Sequence, residues 1–231
     1  MMSKLKSFVA SILVSLGMSE TIWAQDWANL SAFAEDNAKI GLPAEDEERV
    51  VFMGNSITIG WLSSRPDFFK GKPYVNRGIS GQTTPQMLLR FRQDVIDLQP
   101  KVVVILAGTN DIAGNTGLMT LEQIKGNIVS MAELAKANGI VPIISSVLPA
   151  YDYPWKPGLS PNIKIPKLNT MLKAYASENG IIYLDYFSVM ADERNGLPKK
   201  YADDEVHPTI EGYAVMEPLV EEAIQKALSV R

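Results

Sequence analysis

The sequence predicts an α/β domain, with a mostly parallel sheet covered by helices on both faces. Three observations predict it. Apolar runs without alternation at 50–53, 102–107, 141–146 and 181–184 read as strands buried on both faces. Segments with apolar residues at helical spacing lie between them. The connections are short, so the chain repeats strand then helix. No linker or internal repeat interrupts this, and residues 25–231 form one expected domain.

Each element has its own signal. Residues 27–40 carry Trp27, Leu30, Phe33 and Ile40 on a loose apolar face, closed by Leu42-Pro43. The first strand, 50–53, ends in Gly54-Asn55-Ser56. A second, near Tyr74 and Val75, runs into Asn76-Arg77-Gly78-Ile79-Ser80-Gly81. Thr84 as an N-cap and Pro85 at the first helical position open a helix expected to reach about Leu98. The third strand ends in Gly108-Thr109-Asn110-Asp111. Thr120 and Gln123 have capping-box spacing at the head of the next helix, which Gly139 closes. After strand four, 147–163 is a long stretch rich in proline and aromatics. A helix is expected from about Lys167 to Asn179, then strand five at 181–184. The last helix starts near Thr209, with Tyr213, Met216, Val220, Ile224 and Ala227 at helical spacing.

Composition narrows the function. The chain has 231 residues, 46% hydrophobic and 21% charged, with a formal net charge of -4. No basic tail or Lys/Arg patch points to a nucleic-acid partner. With no cysteine, disulfides, thiolate nucleophiles, cysteine-bound zinc and cysteine lipidation are excluded. Lys4 and Lys6, the apolar run 8–14 and small Ala24 give the pattern of a secretory signal peptide over 1–24. A retained amphipathic helix is the other reading of that segment. Cleavage near Ala24 would make the protein secreted or periplasmic. The run is too short for stable membrane insertion.

Catalytic groups of open α/β sheets gather outside the C-terminal strand ends. The turns 54–56, 78–81 and 108–111 all fall there and would converge on one rim. His207 is the only histidine, so any imidazole chemistry uses it and a multi-histidine metal site is impossible. Asp203, Asp204 and Glu205 all stand near enough in sequence to partner it. Ser56 is either a helix N-cap or a nucleophile exposed at a strand-to-helix turn. Phosphate-binding glycine signatures are missing, which argues against nucleotides. A magnesium site built from Asp111, Asp185 and Asp204 is conceivable. However, Asp111 is better read as closing its own turn and Asp185 as a strand-end cap, so neither metal nor cofactor is expected.

GNSIT at 54–58, NRGISG at 76–81, GTND at 108–111 and DEVH at 204–207 occur in order. Together they resemble the SGNH hydrolases, or GDSL-type esterases and lipases, including the platelet-activating-factor acetylhydrolase-like and secreted bacterial acylhydrolase members. The resemblance covers about residues 48–228. It implies a three-layer α/β/α sandwich with a flavodoxin-like five-stranded parallel sheet ordered 2-1-3-4-5. It also implies a site. Ser56 matches the nucleophile, His207 the general base and Asp204 its orienting carboxylate. The oxyanion hole would be the Ser56 amide, Gly81 and Asn110. The family usually has Asp where this chain has Asn55, which is expected to tie the first turn to the third.

The implied activity is a serine esterase acting on a small short-chain ester, with an acetylated glycan as the favoured partner. A lysophospholipase or thioesterase, an O-acyltransferase using the same serine, and a non-enzymatic glycan-binding module are the alternatives. Trp61, Arg77, Tyr151, Tyr153 and Trp155 are candidate substrate contacts, though the aromatics equally suit local packing.

Overall fold

The computed structural model describes residues 26–230. The expected signal peptide lies outside the described residues. Five strands form one sheet: β1 (Val50–Gly54), β2 (Tyr74–Gly78), β3 (Val102–Leu106), β4 (Val141–Ser145) and β5 (Ile182–Leu184). Every neighbouring pair is parallel, and the order is β2-β1-β3-β4-β5.

Alternation along the strands builds two cores, because successive side chains point to opposite faces. Val51, Met53, Val103, Ile105 and Ile144 face one layer. That layer holds α4 (Thr84–Asp94), α6 (Leu121–Ala137) and α7 (Pro161–Glu178), which contribute Met87, Phe91, Ile124, Ile128, Leu168 and Leu172. Val50, Phe52, Val102, Val104 and Ile143 face the other. There Ile57 and Trp61 come from α2 (Ser56–Ser64), Phe68 and Phe69 from α3 (Pro66–Phe69), and Tyr213, Met216 and Val220 from α9 (Ile210–Ser229). The result is a three-layer α/β/α sandwich. Among the described residues, no helix is long and apolar enough to cross a membrane.

Some elements differ from the sequence reading, for local reasons. Helix α1 spans only Ala34–Ile40. Upstream, the Asp26 carboxylate accepts from the Leu30 and Ser31 amides, and Asn29 takes a left-handed φ of 56°. Side-chain bonds of this kind compete with helix formation. In α4 the N-cap is Thr83, not Thr84, and a short 3-10 turn, Ile96–Leu98, follows its end at Asp94. Helix α7 begins six residues earlier than expected and contains Pro166. Proline removes the amide that would bond to the Asn162 carbonyl. Asn195 Nδ2 donates to that carbonyl at 3.3 Å instead. Two further short helices, α5 (Thr109–Ile112) and α8 (Phe187–Met190), complete the chain. The capping box of α6 is present: Thr120 Oγ1 accepts from the Gln123 amide, and the Gln123 side chain accepts from the Thr120 amide.

Candidate active site

The chain runs from β1 outward to β2, then returns past β1 to β3. That reversal leaves a crevice between the C-terminal ends of β1 and β3. Ser56 leaves β1 there, and Thr109 to Asp111 leave β3 there.

Two glycines let α2 pack tightly enough to present Ser56. A Cβ on Gly54 would lie 2.0 Å from Thr58 Oγ1. One on Gly78 would lie 2.3 Å from the Ile59 amide and 2.8 Å from the Asn55 carbonyl. The cap of α2 is Asn55, whose Oδ1 accepts from the Ile57 amide at 3.0 Å. Ser56 is therefore the first residue of the helix and not its cap. Its own amide is a first-turn donor with no partner within the helix. The bond that the Asn55 side chain makes is this cap on its own helix. The third turn is fastened to the second through Asn110 and to α4 through Asp111.

His207 comes from the loop before α9. Glu205 adopts a left-handed φ of 61°, which folds the loop back on itself. Asp204 Oδ1 then accepts from the Val206 amide at 3.0 Å and the His207 amide at 2.7 Å. Its Oδ2 lies 2.7 Å from His207 Nδ1. On the other side of the ring, His207 Nε2 lies 3.0 Å from Ser56 Oγ. Of the three acidic candidates, Asp204 is the one joined to the imidazole, while Glu205 pairs with Arg194 at 3.4 Å. Partial burial pushes the Asp204 carboxyl up, but the bonds from His207 and the two amides outweigh it and hold it below the usual range.

The second and third turns interlock. Asn110, 4% exposed, donates from Nδ2 to the Gln82 carbonyl at 2.9 Å. Gly81 precedes Gln82 with a positive φ of 76°, which suits a residue without Cβ. Asp111 reaches across to α4 and does more than close its own turn. Its carboxylate accepts from the Thr84 amide at 2.9 Å and from Thr84 Oγ1 at 2.6 Å. Asp185 instead accepts from the Ser188 amide at 3.0 Å, at the head of α8. Asp111, Asp185 and Asp204 thus serve three separate local structures.

Sequence reasoning misses Arg90, since a lone arginine in a helix reads as a surface residue. It is fully buried. Its guanidinium donates to the Gly54 carbonyl, the Arg77 carbonyl, Gln82 Oε1 and Asp94 Oδ2. The one side chain joins the first turn to the second. Gln82 in turn donates from Nε2 to the Ala28 carbonyl at 2.7 Å, which fastens the N-terminal segment to the same turn.

The rim candidates divide. Trp61 is 2% exposed, stacked between Phe68 and Tyr213, and belongs to the core. Arg77 is 2% exposed and points to Asp36, Asn37 and the Phe33 ring. Tyr153 is buried, with its hydroxyl on Thr109 Oγ1 at 2.9 Å. These three do not reach the rim. Tyr151 and Trp155 are exposed, and the Trp155 ring centroid lies 5.8 Å from that of His207.

Related chains share this architecture. A solved candidate acylhydrolase from Bacteroides fragilis NCTC 9343 is 52% identical, with a TM-score of 0.86 over 88% of this chain and 99% of that one. A solved GDSL-like lipase from Bacteroides thetaiotaomicron VPI-5482 is 51% identical, with a TM-score of 0.85 over 87% and 98% of the two chains. An uncharacterized lipoprotein of Bacillus subtilis (strain 168) is 32% identical over 126 residues, 47% of this chain. That match spans 52% of the lipoprotein, about half its length. The model of the GDSL-like Lipase/Acylhydrolase family matches residues 52–215, a span that runs from Phe52 in β1 past His207 and into α9. With the four motif turns of one rim inside that match, the chain belongs to the GDSL-like Lipase/Acylhydrolase family.

Proposed function

We propose that the chain is a serine esterase that hydrolyses short-chain carboxylic esters, acetyl esters above all, through an acyl-enzyme. The observation that carries this reading is the continuous line Ser56 Oγ, His207 Nε2, His207 Nδ1, Asp204 Oδ2, with contacts of 3.0 and 2.7 Å. A serine hydroxyl must lose its proton as it attacks. Imidazole is suited to accept it near neutral pH. Asp204 fixes the ring with its proton on Nδ1, so that Nε2 faces Ser56 as the acceptor.

Attack on the ester carbonyl places negative charge on its oxygen. The Ser56 and Gly81 amides and Asn110 Nδ2 are the donors proposed for it. His207 then returns the proton to the departing alcohol. In the second half, the same imidazole takes a proton from water, which attacks the acyl-Ser56 carbonyl and releases the acid. Asn55, in place of an aspartate, keeps the helix cap without adding a charge beside the nucleophile.

Export is part of the proposal. It is supported by the charged, apolar and small-residue pattern of residues 1–24 and by the description of the Bacillus relative as a lipoprotein. The absence of cysteine argues for release after cleavage near Ala24 and against a cysteine-linked lipid.

The test is hydrolysis of chromogenic esters of increasing acyl length by wild type and Ser56→Ala. The expected result is fast acetate cleavage that falls with length and vanishes in the variant. Equal turnover by a folded Ser56→Ala protein would remove Ser56 from the mechanism. A preference for long acyl chains would replace the short-chain assignment.

A further inference from the structure

We infer that Trp155 is the platform for the alcohol half of the substrate, and that this half is a saccharide ring. The inference rests on the esterase reading and adds the identity of the leaving group. It follows from stereochemistry. His207 must hand its proton to the departing alkoxy oxygen, so that oxygen lies on the imidazole side of the tetrahedral intermediate. The carbonyl oxygen lies away from it, among the proposed oxyanion donors. Whatever flanks the imidazole therefore meets the alcohol, not the acyl group. Trp155 flanks it, with ring centroids 5.8 Å apart and planes tilted by 37°.

The ring is held in place before any ligand arrives. Trp155 stacks on Tyr153 at 5.2 Å and 26°. Tyr153 is buried and hydrogen-bonded to both the Thr109 side chain and the Thr109 carbonyl. The Asp152 carboxylate accepts from the Tyr153 and Gly158 amides, which closes the loop around Trp155. Even so, 47% of Trp155 remains exposed. A large apolar face fixed in position yet left open to solvent lowers the entropy cost of binding.

The loops that carry Trp155 and His207 also carry aromatic and charged side chains, Tyr151 on the first and Glu205 on the second. Arg194 lies over the Tyr151 ring at 4.7 Å and bonds Asp192 and Glu205, the latter adjacent to Asp204. Aromatic faces beside a charged hydrogen-bonding cluster match a ring that carries C–H bonds on its faces and hydroxyls on its edge. An alkyl alcohol would use the apolar face alone.

The experiment compares acetate release from an acetylated methyl glucoside and from ethyl acetate, using wild type, Trp155→Ala and Trp155→Phe. The expected wild-type enzyme has the higher kcat/KM on the sugar ester. Trp155→Ala should lower the sugar-to-ethyl ratio of kcat/KM by about tenfold, the scale of one lost aromatic contact. Trp155→Phe should recover most of that ratio. Equal losses on both esters, with a shifted pH profile, would make Trp155 a support for His207 and overturn the inference. So would wild type that cleaves ethyl acetate at least as well as the sugar ester, which leaves the esterase reading intact. Wild type that cleaves neither ester, nor any chromogenic one, would overturn the esterase reading and this inference with it.

Discussion

Asn110 donates its side-chain amide to the main-chain oxygen of Gln82 at 2.9 Å. A primary amide has two N–H bonds. One fixes Asn110 to the turn that carries Gly81, and the other is the donor proposed for the reacting oxygen. Such a donor acts on charge that develops in the transition state. Asn110→Ala is therefore expected to lower kcat by about 10²–10³-fold, with little change in KM. Steady-state kinetics on an acetate ester would check this. A rise in KM alone would make Asn110 a ground-state binding residue.

Asp204→Asn tests the orienting carboxylate. The substituted amide can keep its oxygen on the Val206 and His207 amides only by turning its NH2 group toward His207 Nδ1. The ring must then accept at Nδ1 and carry its proton on Nε2, facing Ser56. A base in that tautomer cannot take the serine proton. The expected loss in kcat is about 10⁴-fold, with the fold retained. Kinetics paired with a thermal melt separate the two effects. A loss below about tenfold would show that the tautomer does not depend on Asp204.

The strands and the helices that cover them were legible because they depend on patterns within short windows, whereas the sheet order came from the family resemblance. Unbroken apolar strands, capped helices and Gly-rich strand ends all act locally. Of the residues proposed for the chemistry, His207 stood out as the one histidine, while Ser56 was set apart from the strand-end serines Ser80, Ser145 and Ser146 by the family resemblance. What was not legible depends on distant partners. Trp61 looks like a rim aromatic until Phe68 and Tyr213 enclose it. Arg77 looks like a rim contact, and Arg90 like a solvated residue, until their carbonyl and carboxylate partners are known. The helix was expected to start near Lys167, after Pro166, because the donor that serves the Asn162 carbonyl in its place is Asn195, 29 residues from Pro166 in sequence. Asp26 shortens α1 by local bonding, a signal that the apolar spacing of 27–40 outweighed.

Gly78→Ala should damage the site without touching a reacting residue. The new methyl would meet backbone atoms of α2, 2.3 Å from the Ile59 amide and 2.8 Å from the Asn55 carbonyl. Backbone cannot rotate away as a side chain does, so α2 must shift and carry Ser56 with it. The expected cost is about 1–3 kcal/mol in stability, with a drop in kcat as Ser56 leaves His207. Urea unfolding and ester turnover would measure both. Unchanged turnover would mean that α2 tolerates the shift.

Arg90→Met should be among the more destabilising substitutions. Burial disfavours the charged guanidinium, and the Asp94 bond works against that. Removing it strands Asp94 Oδ2 in the interior and takes a donor from the Arg77 carbonyl and from the Gly54 carbonyl, which keeps the Ile79 amide. Loss of one partner of a buried pair costs about 3–5 kcal/mol. Arg90→Lys should not rescue it, since one ammonium cannot span the four acceptors of a planar fork. Urea unfolding of the two variants is the check. A cost below about 1 kcal/mol for Arg90→Met would show that water replaces the network.

Asp111 predicts a pH dependence. Burial pushes its carboxyl above the usual range, and the bonds from Thr84 only partly oppose this. The fold therefore favours the protonated form more than the unfolded chain does. The resulting stability is fully present below the unfolded-state pKa and is lost as pH rises through the folded value. Asp111→Asn removes that titration while other carboxylates cancel in the comparison. The melting temperature of wild type minus that of Asp111→Asn should be greatest in acid and shrink as pH rises above the usual carboxylate range. Asp204, whose carboxyl is held low, has the opposite sign: its contribution is lost as pH falls. A difference for Asp111 that grows with pH would mean that the Thr84 bonds outweigh burial and that the carboxylate is held in its charged form.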